Sequence, residues 1–516
     1  MALSASSGIG LVGSRGRQAV NRRAFLVAFA GVLAAACAPA APGGQPGAPT
    51  SAAAVKPTTA PVPTGAAQTT GAGPTSGAPA QPTAAPATAG GSITIPFFTT
   101  ESDPNTLDFF KKVGADFKTQ NPTIDMKITA YQDENQLQFL TTAFQTGTDL
   151  GIFAPPPSFI SSWASQGFLL PLDALVQKIG ADDFLAGTRV RVSGKDYAMP
   201  FQANASALWY RKDLFDKAGL KPPATYDDYL AAAQALNKEG IVGVASTIGG
   251  SEQMALQFFT PYISQAGWDY FDKQGNVTFD RPEVLDAVKR YVAVMKNATK
   301  GMYNAGFGEI INSYVAGKAA MGTFPGRLGV NTAAKAPDIA DKTGVVPVPA
   351  GPFMTGKLLF GGVQHYTVYA KTAHPDETLA FLEFLTTGDR ELDFSMTVPG
   401  HLLPPLQSVR AKIKGYQSDF MTKHGDWVLA LADMVPGTTS PSQAMGSVNN
   451  QHFDKISNNC PWGALVWGSP AVDNTLFQEI LLQNKDPEQA WQDATAKLKQ
   501  AADKWKSDNP GWKPDV

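Results

Sequence analysis

Cysteine is nearly absent from this chain: its 516 residues include two, Cys37 and Cys460. Two thiols cannot make a disulfide framework, so a packed core must hold the fold. Histidine is scarce as well. His365, His374, His401, His424 and His452 stand apart, without the spacing of a ligand set, so neither a metal site nor a cofactor is expected. No charge sign is in excess, with 42 Lys and Arg against 44 Asp and Glu, and no basic stripe appears. Nucleic acid is therefore not an expected partner. No apolar run reaches the about 20 residues that span a bilayer. Also missing are a Gly-x-Ser-x-Gly elbow, a His-Glu-x-x-His helix and a glycine-rich phosphate loop with its lysine.

What the chain does have begins at its amino end. Arg15, Arg17, Arg22 and Arg23 precede an apolar stretch from Ala24 to Ala36. At roughly 13 residues that stretch suits an export signal and is too short to span a membrane. Arg22-Arg23 followed by Phe25-Leu26 resembles a twin-arginine signal, although the general export route is equally open. Ala34-Ala35-Ala36-Cys37 resembles a bacterial lipobox, whose cysteine takes the lipid. Leu33 stands one place earlier than that pattern prefers, and the alternative is an ordinary cleaved signal with an incidental cysteine. If Cys37 is acylated, Cys460 has no partner in the chain and is either apolar filler or part of a cleft wall.

Residues 38–91 are almost entirely Ala, Pro, Thr, Gly and Ser, with Lys56 the single charge. Such a stretch lacks the large apolar side chains that offset ordering entropy, and is expected to be a disordered stalk. The body, 92–516, is long enough for two or three cores.

SITIPFF (92–98), MKITAY (126–131) and DLGIF (149–153) read as strands. Asp103-Pro104 marks a helix start, and Leu107, Phe110, Val113 and Phe117 then recur at helical spacing. Leu137, Leu140 and Phe144 stripe a second helix. Strand-helix-strand alternation predicts a parallel sheet with helices on its faces, and ligands in such sheets sit beyond the carboxyl ends of strands. Those ends are 99–103, 131–133 and 153–157. Further strands are expected at 241–246, 343–349 and 365–370, and a last helix opens at Asp486-Pro487 with Trp491, Leu498 and Trp505 on one packing face. Composition and periodicity alone reach no further than a large α/β exported protein.

The stretch 194–238 goes further. Gly194, Tyr197, Pro200, Tyr210, Lys212-Asp213-Leu214-Phe215, Ala218-Gly219, Pro223, Thr225 and Asp228 follow an order that resembles extracellular solute-binding proteins of carbohydrate-type ABC importers, the family that includes maltose-binding protein. Further matches are 165–172 (SQGFLLPL), 317–322 (GKAAMG), 360–362 (FGG) and 400–404 (GHLLP). The resemblance implies a two-lobed periplasmic-binding-protein type II fold with hinge strands between the lobes. Lobe 1 would comprise about 92–203 plus part of 345–400, and lobe 2 about 204–344 plus part of 400–516. It implies capture of a sugar or oligosaccharide between the lobes and delivery to permease subunits on hinge closure. The chain is then expected to be no enzyme, to act as a monomer, and to be held at the outer face of the cytoplasmic membrane by its lipid. A pair of carboxylates assembled only by folding, as in a glycoside hydrolase, is the one catalytic alternative.

A sugar pocket needs polar side chains for hydroxyls and flat faces for the ring. The resemblance places Asn204 at the cleft, with Gln202 on the same strand face, unless both amides serve hinge backbone. Glu101 reaches the cleft or complements a helix dipole. Phe153 is a ligand contact or core. Gln257 supplies a hydrogen bond or lies exposed. Where relatives stack a tryptophan after the GKAAMG strand, this chain has Phe324 and Arg327. Phe324 can supply a flat face, and Arg327 can grip a carboxylate, a phosphate or vicinal hydroxyls unless it is a solvated surface residue. Gly362, Gln364 and His401 complete the expected site, with Trp467 as a late aromatic platform in preference to Trp268, and Trp163 and Trp209 in the core. Arg327 leaves open a rival receptor for an anionic solute such as a polyol phosphate or organic acid.

Overall fold

The alternating segment SITIPFF forms β1 (Ile93–Thr99), which pairs in parallel with β2 (Ile124–Ala130) over its whole length. The computed structural model describes residues 92–131, 133–249, 254–272, 274–351, 359–360, 362–439, 461–466 and 470–513, all in one compact unit that begins at Pro86. The expected signal and stalk, Cys37, Cys460 and Trp467 lie outside the described residues, as does the side chain of Gln257.

Between β1 and β2 runs α1 (Pro104–Gln120), whose buried face is Thr106, Phe110, Val113, Gly114 and Phe117. Thr106 takes the place expected of Leu107, because its hydroxyl meets that of Thr397 at 2.8 Å. A second helix, α2 (Asp133–Thr146), leads to β3 (Ile152–Phe153), parallel to β1. Next come the antiparallel pair β4 (Val190–Val192) and β5 (Lys195–Ala203). The chain then leaves this sheet. β6 (Ala207–Arg211), β7 (Val242–Ala245), β8 (Ala319–Phe324) and β9 (Thr343–Pro347) build a four-stranded sheet ordered β7-β8-β6-β9. A short strand, β10 (Leu359–Phe360), pairs with β12 (Thr438–Thr439), and between them in the chain β11 (Val363–Val368) returns to the first sheet.

The completed larger sheet is ordered β2-β1-β3-β11-β5-β4. It is mixed rather than parallel. β11 runs antiparallel to both β3 and β5, since it re-enters from the other half of the molecule instead of through a crossover helix.

Among the described residues, three segments join the halves. Residues 204–206 connect β5 to β6, and the chain after β9 returns into β11. The third, 400–406, lies beside the first: the Ala203 N–H donates to Leu403 O at 2.8 Å and the Leu185 N–H to Pro405 O at 2.9 Å. It leads to a helix at Asp419–Met434, whose Trp427 meets Trp209 of β6 edge-on at 5.3 Å.

Aromatic side chains fill both halves. Phe97 of β1 contacts Phe110 and Tyr366 edge-on, and Tyr366 stacks on Phe201 at 4.0 Å. Each such burial is worth about 2–3 kcal/mol. Trp163 and Trp209 are core residues, and the Trp209 indole donates to Phe324 O at 2.8 Å. The last helix, Pro487–Asp508, is capped by Asp486. Leu498 is buried, the Trp491 indole donates to Phe279 O at 2.7 Å, and Trp505 packs against Trp462 and Trp512.

Candidate functional site

The loop leaving β1 is fixed from below. The Glu101 N–H donates to the Thr99 hydroxyl at 3.1 Å, and that hydroxyl meets the Tyr366 hydroxyl at 3.2 Å. Glu101 is held at the end of the larger sheet with only 4% of its surface exposed. Two residues on, Asp103 stands where the capping residue of α1 belongs, yet its side chain makes no cap bond. Its carboxylate is directed elsewhere.

That direction is Arg327, just beyond β8 of the smaller sheet. One guanidinium nitrogen of Arg327 donates to Glu101 Oε2 at 2.6 Å and the other terminal nitrogen to Asp103 Oδ2. Arg327 opens the helix Arg327–Lys335, where a cation opposes the helix dipole by about 0.3–1 kcal/mol. Helix preference thus does not account for an arginine here; the two carboxylates across the gap do. Burial pushes the Glu101 carboxyl above its usual range, with Arg327 pulling it back and Asp103 adding to the rise.

Gly326, immediately before, lets this loop approach the third connection. A Cβ at this position would lie 2.3 Å from the Gly400 carbonyl carbon and 2.7 Å from the His401 nitrogen. His401 therefore sits behind the bridge. Its Nδ1 is buried without a partner among the described residues, and burial together with the Arg327 charge holds the ring well below the ordinary histidine range, hence neutral.

The amides form a second group, on the connecting strands. Gln202 of β5 and Gln364 of β11 are direct partners in the antiparallel register, so their side chains share a face. Asn204 Nδ2 donates to Gln202 Oε1 at 3.3 Å. Asn204 Oδ1 accepts from the Gly362 N–H at 3.1 Å, and the Asn204 N–H donates to Gly362 O at 2.8 Å. Asn204 and Gly362 thus tie the first and second connections together, while the Gln202 side chain bonds Asn204 rather than backbone. The Gln202 Nε2 and the Gln364 amide carry no hydrogen bond to described residues.

Two expected contacts are packed away in this structure. Phe153 is fully buried among Phe144 and Trp163, and Phe324 is buried against Phe258 and Phe307. Both rings pack against core side chains, and Phe324 is buried to about the same degree as Gln202 and Asn204. Trp268 packs under Arg281, whose guanidinium lies 4.8 Å from its ring. The structure also brings Asp103, Thr99 and Tyr366 into this cluster. Asp103 lies in the strand end 99–103 that the sequence marks for ligands, although its place before Pro104 reads equally as a helix start.

Residues 103–388 match the family described as bacterial extracellular solute-binding protein. The chain belongs to that family. This solute-binding protein is 29% identical over 275 residues to a mannitol-binding protein of Pseudomonas aeruginosa, covering 51% of this chain and 62% of that one. It is 25% identical over 381 residues to an arabinooligosaccharide-binding protein of Halalkalibacterium halodurans, covering 68% of this chain and 82% of that one. Among solved structures, an ABC transporter solute-binding protein of Thermotoga lettingae bound with α-D-tagatose superposes with a TM-score of 0.66 at 19% identity, over 80% of this chain and 100% of that one. The two sheets are accordingly the cores of two lobes, and the bridge from Glu101 and Asp103 to Arg327 runs from one lobe to the other. No helix among the described residues is long and apolar enough to cross a membrane.

Proposed function

We propose that this protein is the receptor of an ABC importer, taking a neutral sugar or polyol between its lobes and presenting it to membrane permease subunits on closure. The observation that carries the ligand class is the pair of glutamine amides, Gln202 and Gln364, side by side on the strands that join the lobes. Uncharged donors and acceptors of that kind suit hydroxyls. Relatives named for mannitol and for arabinooligosaccharide support the same class. The anionic reading rested on an arginine available to a ligand, and Arg327 is instead engaged by two carboxylates. No reaction is assigned to the site, whose role is binding. The receptor acts as a monomer, exported and tethered through acyl chains on Cys37, with 38–91 as the stalk; multiple chains are needed for stable retention.

The test is thermal unfolding of the full chain against neutral monosaccharides, polyols and oligosaccharides beside acidic sugars and sugar phosphates. A true ligand at a hundred times its dissociation constant adds about 2.7 kcal/mol to the native state. A shift with neutral ligands supports the reading; a shift confined to anions replaces it with the rival. The tether is tested separately by acyl labelling of the protein made in its bacterial host, and protein lacking lipid on Cys37 ends that part.

A further inference from the structure

We propose that Glu101 and Asp103 are the specificity determinants that close this receptor to anionic solutes, by acting as resident counter-ions of Arg327. The inference rests on the interlobe cleft being the solute site, as proposed above. A guanidinium facing a cleft is ordinarily the strongest anion-binding group a protein can offer, through its planar fork of donors. Here both terminal nitrogens of that fork meet carboxylates, Glu101 at 2.6 Å and Asp103 closer still. One positive and two negative charges leave the cluster with a net charge of about −1 when both acids are ionised. An incoming carboxylate or phosphate would have to displace one acid and lie against the other, at a distance where like charges repel strongly in a partly desolvated site. A hydroxyl meets no such barrier. Glu101 Oε2 alone is engaged, and its Oε1 has no hydrogen-bond partner among the described residues, which leaves an acceptor for an O–H.

The sequence position of these acids makes the assignment specific to them. Asp103 forgoes the cap of α1 to reach the arginine, and Glu101 is buried at a raised protonation range that only a strong partner offsets. His401, a basic group near Arg327, is held neutral and adds no positive charge to attract an anion.

The experiment compares the full-length protein with Glu101→Gln/Asp103→Asn and with the triple variant that adds Arg327→Met. Melting midpoints are read in D-mannitol, in D-gluconate, which replaces a terminal CH2OH by a carboxylate, and in inorganic phosphate, each against sodium chloride of equal ionic strength. For the wild type, phosphate and gluconate are expected to leave the midpoint where chloride leaves it. The double variant gains a phosphate and gluconate shift, narrowing any preference for mannitol over gluconate by about tenfold or more. The triple variant loses that gain. A wild type that phosphate stabilises as much as the double variant, or a double variant indifferent to both anions, overturns the proposal. The phosphate arm needs no sugar, so a wild type unmoved by mannitol and other neutral ligands would count against the function proposed above without deciding this point.

Discussion

The larger-sheet lobe buries a base, His365, and an acid, Glu391, while the smaller-sheet lobe buries the acid Asp473; His365 and Asp473 respond to pH in opposite senses. His365 lies on β11 with its Nε2 donating to Thr188 O at 2.7 Å, and burial lowers it to about 4. Asp473, at the start of the helix Val472–Leu481, accepts from the Tyr270 hydroxyl and from the Asn474 N–H, and burial raises it to about 6. The folded state with neutral His365 binds fewer protons than the unfolded chain between pH 4 and 6.5, so its contribution is complete above 6.5 and fades on acidification. Asp473 does the reverse. Its contribution is complete below pH 3.8 and lost as pH rises through 6. His365 and Asp473 oppose each other across the same window, and Glu391 acts in the sense of Asp473. At His365 and Asp473 burial neutralises the side chain, whereas Asp196 with Arg189, Arg211 with Asp213, and the bridge between the lobes keep buried charge in pairs.

The sharpest way to break that contrast is at the bridge. Arg327→Met leaves Glu101 buried beside Asp103 without a counter-ion, and unfolding by urea should show a loss of about 3–5 kcal/mol. Because the unpaired Glu101 is then pushed further up, the loss should be larger at about pH 8 than at about pH 5, where protonation relieves it. An equal loss at both would mean that Glu101 is not the group left behind.

The lobes themselves come next. Relative to wild type, His365→Gln should remove about 3 kcal/mol of pH dependence between pH 4 and 6.5, and Asp473→Asn a similar amount of opposite slope. The measurement is the difference in unfolding free energy across the window, in which Glu391, a buried acid also raised well above its usual range, cancels. Slopes of one sign from both variants would contradict the opposition.

Gly326→Ala should cost about 1–3 kcal/mol by overpacking. It should also weaken ligand affinity more than it alters the lobes separately, since its Cβ meets Gly400 rather than a side chain of its own sheet. Calorimetric binding beside urea unfolding separates the two effects.

The smallest effect contrasts two helix starts. Thr225 makes a full capping box with Asp228, whereas Asp103 caps nothing. Thr225→Ala should cost about 1 kcal/mol. Asp103→Ala should instead lose stability by way of Arg327, visible as a loss that shrinks when Arg327→Met is already present.

Strands and helices were legible because their signals are local. The SITIPFF strand, the Asp103-Pro104 start and the Asp486-Pro487 start are contained within a few residues, and the structure forms each where expected. The direction of β11 was not local. HYTVYA looks the same whichever way it enters a sheet, and only the path through the other lobe turns it antiparallel. The same holds for the site. Arg327, Glu101 and Asp103 are more than two hundred residues apart on the two sides of the bridge, and nothing around any of them names the others. Phe324 and Phe153 show the converse: an aromatic residue at a strand end reads alike whether it faces core or cleft, and three-dimensional neighbours decide.

Gly326 and Gly400 also bear on how the chain can change over generations. A side chain at 326 meets backbone at 400, and Gly400 itself has φ +78° with Leu431 2.9 Å from where its Cβ would be. Neither position can accept a larger residue by drift alone, and a replacement at one requires the facing loop to retreat first. The loop that carries Arg327 and the connection that carries His401 therefore constrain each other, and substitutions at Glu101 and Asp103, which lie outside that contact, are the simpler route to a new ligand preference.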